Sequence, residues 1–118
     1  MRAQAHALGE GHRAAAELSD VISFHDYGKP DVTQRRIDEL KTYGRPLLCT
    51  EYIARGNGST FEAILPILKE EKVAAYNWGL VDGKTNTKYP WPTWQMPELG
   101  EPDPWHHEIF HADGRPYR

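Results

Sequence analysis

The residues best suited to chemistry stand at the ends of three short apolar runs. Val21-Ile22-Ser23-Phe24-His25, Leu47-Leu48-Cys49-Thr50-Glu51 and Val73-Ala74-Ala75-Tyr76-Asn77-Trp78 each open apolar and close polar. Their starts, at 21, 47 and 73, are 26 residues apart both times, and the same step relates His25, Glu51 and Asn77. With Tyr27 and Trp78 close behind, this places a carboxylate, an imidazole, a phenol and an indole at corresponding points. A carboxylate can serve as nucleophile or as acid/base. One that closes an otherwise buried run faces a desolvation cost unless it is paired or functional, which singles out Glu51 as the candidate catalytic group. Tyr27 and Trp78 also fit as rim packing with a satisfied polar tip, and His25 is open to both readings.

Other chemistry-bearing residues carry weaker signals. His106, His107 and His111 lie at i, i+1 and i+5, a spacing that does not bring three imidazoles to one metal, so no metal site is expected there. Trp91, Trp94 and Trp105 admit two readings, a glycan groove or aromatic caps over a core. Asp82-Gly83 reads as a turn. Cys49, the single cysteine, sits in an apolar run and reads as a small buried hydrophobe.

The elements that must position these groups are strands alternating with helices. Twenty-six residues are too many for a hairpin, and helix signals fill the gaps, so the pattern is β-α-β-α-β with parallel strands and crossover helices. The first helix is expected to start at Asp31 as cap, with Gln34 three residues on, and to stop at Gly44. The second is expected to start at Ser59 with Glu62 in a capping box, to carry Phe61, Ile64, Leu65 and Leu68 as its apolar stripe, and to kink near Glu62 to Pro66. Ahead of the first strand, residues 1–18 form a separate segment, alanine-rich and partly helical from Ala3 to Glu17 but interrupted by Gly9 and Gly11. Beyond Trp78, six of the nine prolines and three of the four tryptophans mark a long ordered loop. Ala112-Asp113-Gly114-Arg115 signals a hairpin at its end.

Composition bounds the function. The 118 residues are 39% hydrophobic and 26% charged with a net charge of −3, an ordinary globular balance without the basic run that nucleic acid or an anionic membrane would call for. No apolar stretch reaches the roughly 20 residues of a membrane helix. Met1 to Gly11 lacks the apolar centre of a secretory signal.

The three strand ends resemble a known family. Phe24-His25-Asp26-Tyr27 is similar to the His-x-Tyr motif after the sixth strand of cellulase-like glycoside hydrolases, the clan of (β/α) barrels that includes family 5. Leu48-Cys49-Thr50-Glu51-Tyr52 resembles the seventh-strand segment that carries the nucleophilic glutamate. Asn77-Trp78-Gly79 resembles the eighth-strand segment, whose tryptophan forms a platform under the sugar. The resemblance implies a partial (β/α) TIM barrel over residues 19–118, its three parallel strands being the sixth to eighth. It further implies that Glu51 attacks the anomeric carbon to give a covalent glycosyl-enzyme. Tyr27 would hydrogen-bond Glu51 and favour its charged form. His25 and Asn77 would bind substrate in the same subsite, and Trp78 would stack on the sugar ring.

In this family the acid/base glutamate follows an asparagine on the fourth strand, and no Asn-Glu pair occurs here. A full barrel takes roughly 250 residues, so five strands are unaccounted for, and the chain by itself is expected to hold half a catalytic pair and to be inactive in turnover. Its outer strands would leave unpaired edges that favour self-association or coverage by the N-terminal segment. The expected partner is a β-linked glycan, with no cofactor or metal, and a non-catalytic glycan-binding remnant is the alternative. The localisation is open, with export expected of the parent enzyme.

Overall fold

The computed structural model describes residues 9–118. It is an α/β fold in which three parallel strands form one open sheet: β1 (Ile22–His25), β2 (Leu47–Glu51) and β3 (Ala74–Ala75), in the order β1-β2-β3. Three helices, α1 (Glu10–Leu18), α2 (Pro30–Lys41) and α3 (Phe61–Glu70), precede the strands in turn. Among the described residues no helix is long and apolar enough to cross a membrane.

Side chains alternate across a strand, so each strand divides its residues between two faces. On one face Ile22, Leu47 and Cys49 join Ile37 and Leu40 of α2 and Ile64 and Leu68 of α3 in a single core, and Ala16 of α1 adds to it. On the other, Ser23 and His25 are exposed and Leu48 and Thr50 half-buried. Cys49 is fully buried, as its apolar setting predicts, and burial pushes its thiol up to about 12.

The helix boundaries differ from expectation in an instructive way. Asp31 does not cap α2: the cap is Lys29, Pro30 occupies the first turn, and no side chain satisfies the end. Proline fits there because its missing amide would have had no helical partner. The capping-type work is done upstream by Asp26, whose Oδ1 accepts from the Gly28 amide at 2.8 Å and from the Thr33 hydroxyl at 3.2 Å. Gly28 is required in this turn, since a Cβ would lie 2.8 Å from Val32 Cγ1. Gly44 ends the α2 region as expected, with φ of 66° and its amide on the Lys41 carbonyl.

Likewise α3 is capped by Thr60 rather than Ser59. The Thr60 hydroxyl accepts from the Ala63 amide at 3.2 Å, while Ser59 is fully buried and its Oγ accepts from the Ile53 amide at 3.3 Å. Thr60→Ala should therefore lower stability by about 1 kcal/mol in urea unfolding, the usual worth of a side-chain cap. An unchanged midpoint would show that the Thr60 hydroxyl contributes nothing to the end of α3. The helix runs unbroken through Pro66, which sits on its exposed side.

The third strand is shorter than its apolar run. Only Ala74 and Ala75 pair regularly with Leu48 and Cys49, although the amides of Tyr76 and Trp78 still reach the carbonyls of Cys49 and Tyr52. Ala74 and Ala75 are exposed, and no strand flanks β3 on its far side among the described residues, so little side-chain burial holds a longer ladder. The alanine-rich start is helical from Glu10, straight through Gly11, while residues 1–8 of that expectation lie outside the described part. The proline-rich segment is a loop with two short 3-10 turns, Trp91–Thr93 and Pro97–Leu99. Its end doubles back as predicted: the His111 amide donates to the Arg115 carbonyl at 2.8 Å, Phe110 bridges Pro116, and Gly114 takes φ of 86°.

Candidate active site

The parallel strands deliver their polar ends to one rim. At the β1–β2 register His25 pairs with Glu51 across an irregularity that opens between Phe24 and His25. The consequence is a convergence on one atom: the Tyr27 hydroxyl donates to Glu51 Oε2, and His25 Nδ1 lies 3.2 Å from the same oxygen. Glu51 Oε1 has no hydrogen bond among the described residues. Two neighbours thus hold the carboxylate by one oxygen and leave the other available.

Tyr27 is held as a donor. Burial first, then the hydrogen bond to Glu51 and the adjacent charge, push its hydroxyl well above the usual phenol range, so the proton stays on the ring oxygen at any working pH.

A cavity of about 310 Å³ opens beside these groups, lined by Tyr27, Glu51, Trp78, Thr87, Tyr89, Trp91, Trp94 and His107. Glu51 is the one carboxylate in this wall. Trp78 reaches it from the end of β3, its amide fixed on the Tyr52 carbonyl at 3.0 Å. Trp91 packs edge-on against Tyr27 with ring centres 5.0 Å apart, so the proline-rich loop closes the side of the cavity next to the Tyr27–Glu51 pair.

Of the residues singled out in the sequence, Tyr27, Glu51 and Trp78 line this cavity, and His25 joins them through Glu51. Asn77 is placed differently: its side-chain amide donates to the Gly79 carbonyl, bracing the turn that leaves β3, and it does not contribute to the wall. The three loop tryptophans divide. Trp91 and Trp94 line the cavity, whereas Trp105 is buried and stacks on Tyr117 at 4.5 Å with 8° between the ring planes. Asp82 lies in the turn region and binds Lys88 Nζ at 3.1 Å. No cluster of three metal-ligating side chains occurs among the described residues.

Three wall residues escape sequence reasoning: Thr87 and Tyr89, which carry no signal there, and His107, which enters only as a candidate metal ligand. His107 is 1% exposed, and its Nδ1 bonds the carbonyl of Ile53. A carbonyl can only accept, so Nδ1 carries the proton, and burial lowers the ring's basicity and keeps it neutral. Ile53 is itself unusual, a fully buried β-branched residue at φ of 80° two positions after Glu51. Such a conformation costs on the order of 1–2 kcal/mol and persists only where neighbours impose it. Here Ser59 Oγ holds the Ile53 amide and His107 holds its carbonyl. His107 also fills the space beside Gly79, where a Cβ would come within 2.8 Å of His107 Cβ, and Gly79 has φ of 85°. A single imidazole therefore ties the end of β2 to the turn after β3.

Arg55 extends the same clasp. Its Nη1 donates to the carbonyls of Glu108 at 2.8 Å and Trp105 at 3.3 Å, and its guanidinium lies 4.9 Å from the centre of the Tyr117 ring. The available signal in the sequence is the run His106-His107-Glu108 between Trp105 and Ile109-Phe110. Three consecutive ionisable residues in an apolar setting imply buried polar groups, and all three are indeed buried. Compared with protein-family models, with curated proteins and with solved structures, this chain has no match.

Proposed function

We propose that the chain is the part of a cellulase-like retaining glycoside hydrolase that carries the nucleophile, Glu51, on the seventh strand of a (β/α) barrel. The observation that supports this best is the shared oxygen. Tyr27 and His25 both address Glu51 Oε2 at the carboxyl end of parallel strands, next to an aromatic-walled cavity. Functional groups gather at that end in parallel α/β folds. In this reading Glu51 Oε1 attacks the anomeric carbon, the C–O bond to the leaving group breaks, and a glycosyl ester forms that water later cleaves. Trp78 presents an indole face to the sugar ring, and His25 contributes to the same subsite. β1, β2 and β3 are then the sixth to eighth strands, and the outer edges of β1 and β3 are where further strands would pair.

A retaining mechanism needs a second carboxyl about 5–5.5 Å from the first, and Glu51 is alone in the cavity wall among the described residues. Natural glycosides therefore should not turn over on this chain by itself. An activated leaving group such as dinitrophenolate departs without a proton, so the nucleophile alone can be trapped. The test is incubation with 2,4-dinitrophenyl 2-deoxy-2-fluoro-β-glycosides of the gluco, manno and xylo series, followed by intact mass measurement. The expected result is one fluoroglycosyl unit per chain with at least one sugar. No mass gain with any of them would count against a nucleophile.

The solitary carboxylate also favours a second reading, a glycan-binding remnant that keeps the aromatic platform without turnover. Glycan binding that survives Glu51→Ala but not Trp78→Ala would select it.

A further inference from the structure

We propose that the cavity beside Glu51 receives an apolar, aryl-type group borne by the sugar, in preference to a second unmodified sugar ring. This rests on the glycosidase reading for where the sugar itself sits, and it deepens that reading by naming the class of glycoside.

The wall has little hydrogen-bonding capacity to spare. The Tyr27 proton is committed to Glu51 Oε2, and the Thr87 hydroxyl donates to Glu108 Oε1. His107 spends Nδ1 on the Ile53 carbonyl, and its Nε2 is buried out of reach without a partner. What is left for a ligand is Glu51 Oε1, the acceptor lone pairs of the Tyr27 and Thr87 oxygens, and the tips of Tyr89 and the indoles. Aromatic faces make up the rest.

A second sugar would bring several hydroxyls that must shed water, and hydroxyls without partners weaken binding. A flat apolar ring sheds water with a gain and can pack against indole faces. Trp91 and Trp94 are 46% and 43% exposed, so the loop presents apolar surface that such a ring would cover. The volume of about 310 Å³ is at the lower end of small-molecule sites, enough for one sugar and one further ring.

Isothermal titration of the intact chain tests this with 4-nitrophenyl β-glycosides, β-1,4-linked disaccharides and free 4-nitrophenol, the sugars taken from the gluco, manno and xylo series. In at least one series the aryl glycoside should bind about tenfold or more tightly than the disaccharide. Trp91→Ala should reduce that preference to less than about threefold, and Leu99→Ala, on an exposed residue outside the cavity wall, should leave it intact. Trp91→Phe, which keeps an aromatic face, should retain most of it and guards against a folding defect in the alanine variant.

Three outcomes would overturn the inference: disaccharides binding as well or better in every series, no measurable binding of any aryl glycoside, or free 4-nitrophenol binding as tightly as its glycosides. Covalent trapping without aryl preference would sink only this inference. Aryl preference without trapping would leave it standing and remove Glu51 as nucleophile.

Discussion

Glu51→Gln is expected to slow formation of the fluoroglycosyl adduct on the order of 10³-fold or more, the scale on which dismantling a catalytic group is felt. Glutamine keeps the volume and can still accept from Tyr27, so the strand end should stay folded while the nucleophilic oxygen is lost. Tyr27→Phe should have a smaller effect, about 10–100-fold, because it removes one of the two contacts that orient Oε2 but leaves the attacking atom in place. The order of the two variants is the informative part. Rates measured by intact mass at one reagent concentration would reveal it, and a Tyr27→Phe defect as deep as that of Glu51→Gln would mean that Tyr27 does more than position the carboxylate.

The second large effect concerns stability against pH. His106 is 3% exposed, both of its ring nitrogens are buried without partners, and burial, with His107 and Arg55 nearby, pushes it down from 6.5 to about 4. The folded form thus resists a proton that the unfolded chain accepts below 6.5. Stability is fully present above that value and declines as pH falls through the window from about 6.5 to about 4. Each tenfold change in proton affinity between the folded and unfolded chain is worth roughly 1.36 kcal/mol, so with solvent screening the loss at the lower end is about 2–3 kcal/mol. His107, shifted in the same direction, adds to it.

Urea unfolding at pH 7.5 and pH 4.5 should show this loss, and His106→Phe, which cannot titrate and can still pack edge-on to Trp91, should flatten it. A pH dependence unchanged in His106→Phe would place the titrating group elsewhere.

Much of this architecture is legible in the sequence where the determinants are local. The apolar runs of β1 and β2 are bounded by their own residues, whereas the register is not: Ile22 pairs with Leu47, and the irregularity after Phe24 is what brings Glu51, in place of Thr50, opposite His25. The stripe of Ile64 and Leu68 faces the core because helical periodicity requires one apolar side. The Tyr27–Glu51 contact follows from neighbouring parallel strands whose ends meet on one rim.

Legibility fails where several nearby residues have the right chemistry and the folded backbone chooses among them, or where the partner is distant in the chain. Ser59 and Asp31 have the right chemistry for caps, yet Ser59 is drawn to the Ile53 amide, and Asp26 organises the turn ahead of α2. A left-handed isoleucine at Ile53 is not predicted by its neighbours alone, since its carbonyl is held by His107 from the far end of the chain while Ser59 holds its amide locally. The loop tryptophans look equivalent in sequence. What separates Trp91 from Trp105 is that the first meets Tyr27 and the second Tyr117. Among the described residues no strand flanks β3 on its far edge, and its ladder is confined to Ala74 and Ala75.

Digesting the labelled chain and locating the fluoroglycosyl group by tandem mass spectrometry puts the nucleophile to its sharpest test. The expected product is an ester on Glu51, within the tryptic peptide of residues 42–55. A label on any other carboxylate, with Glu51 unmodified, would contradict the assignment.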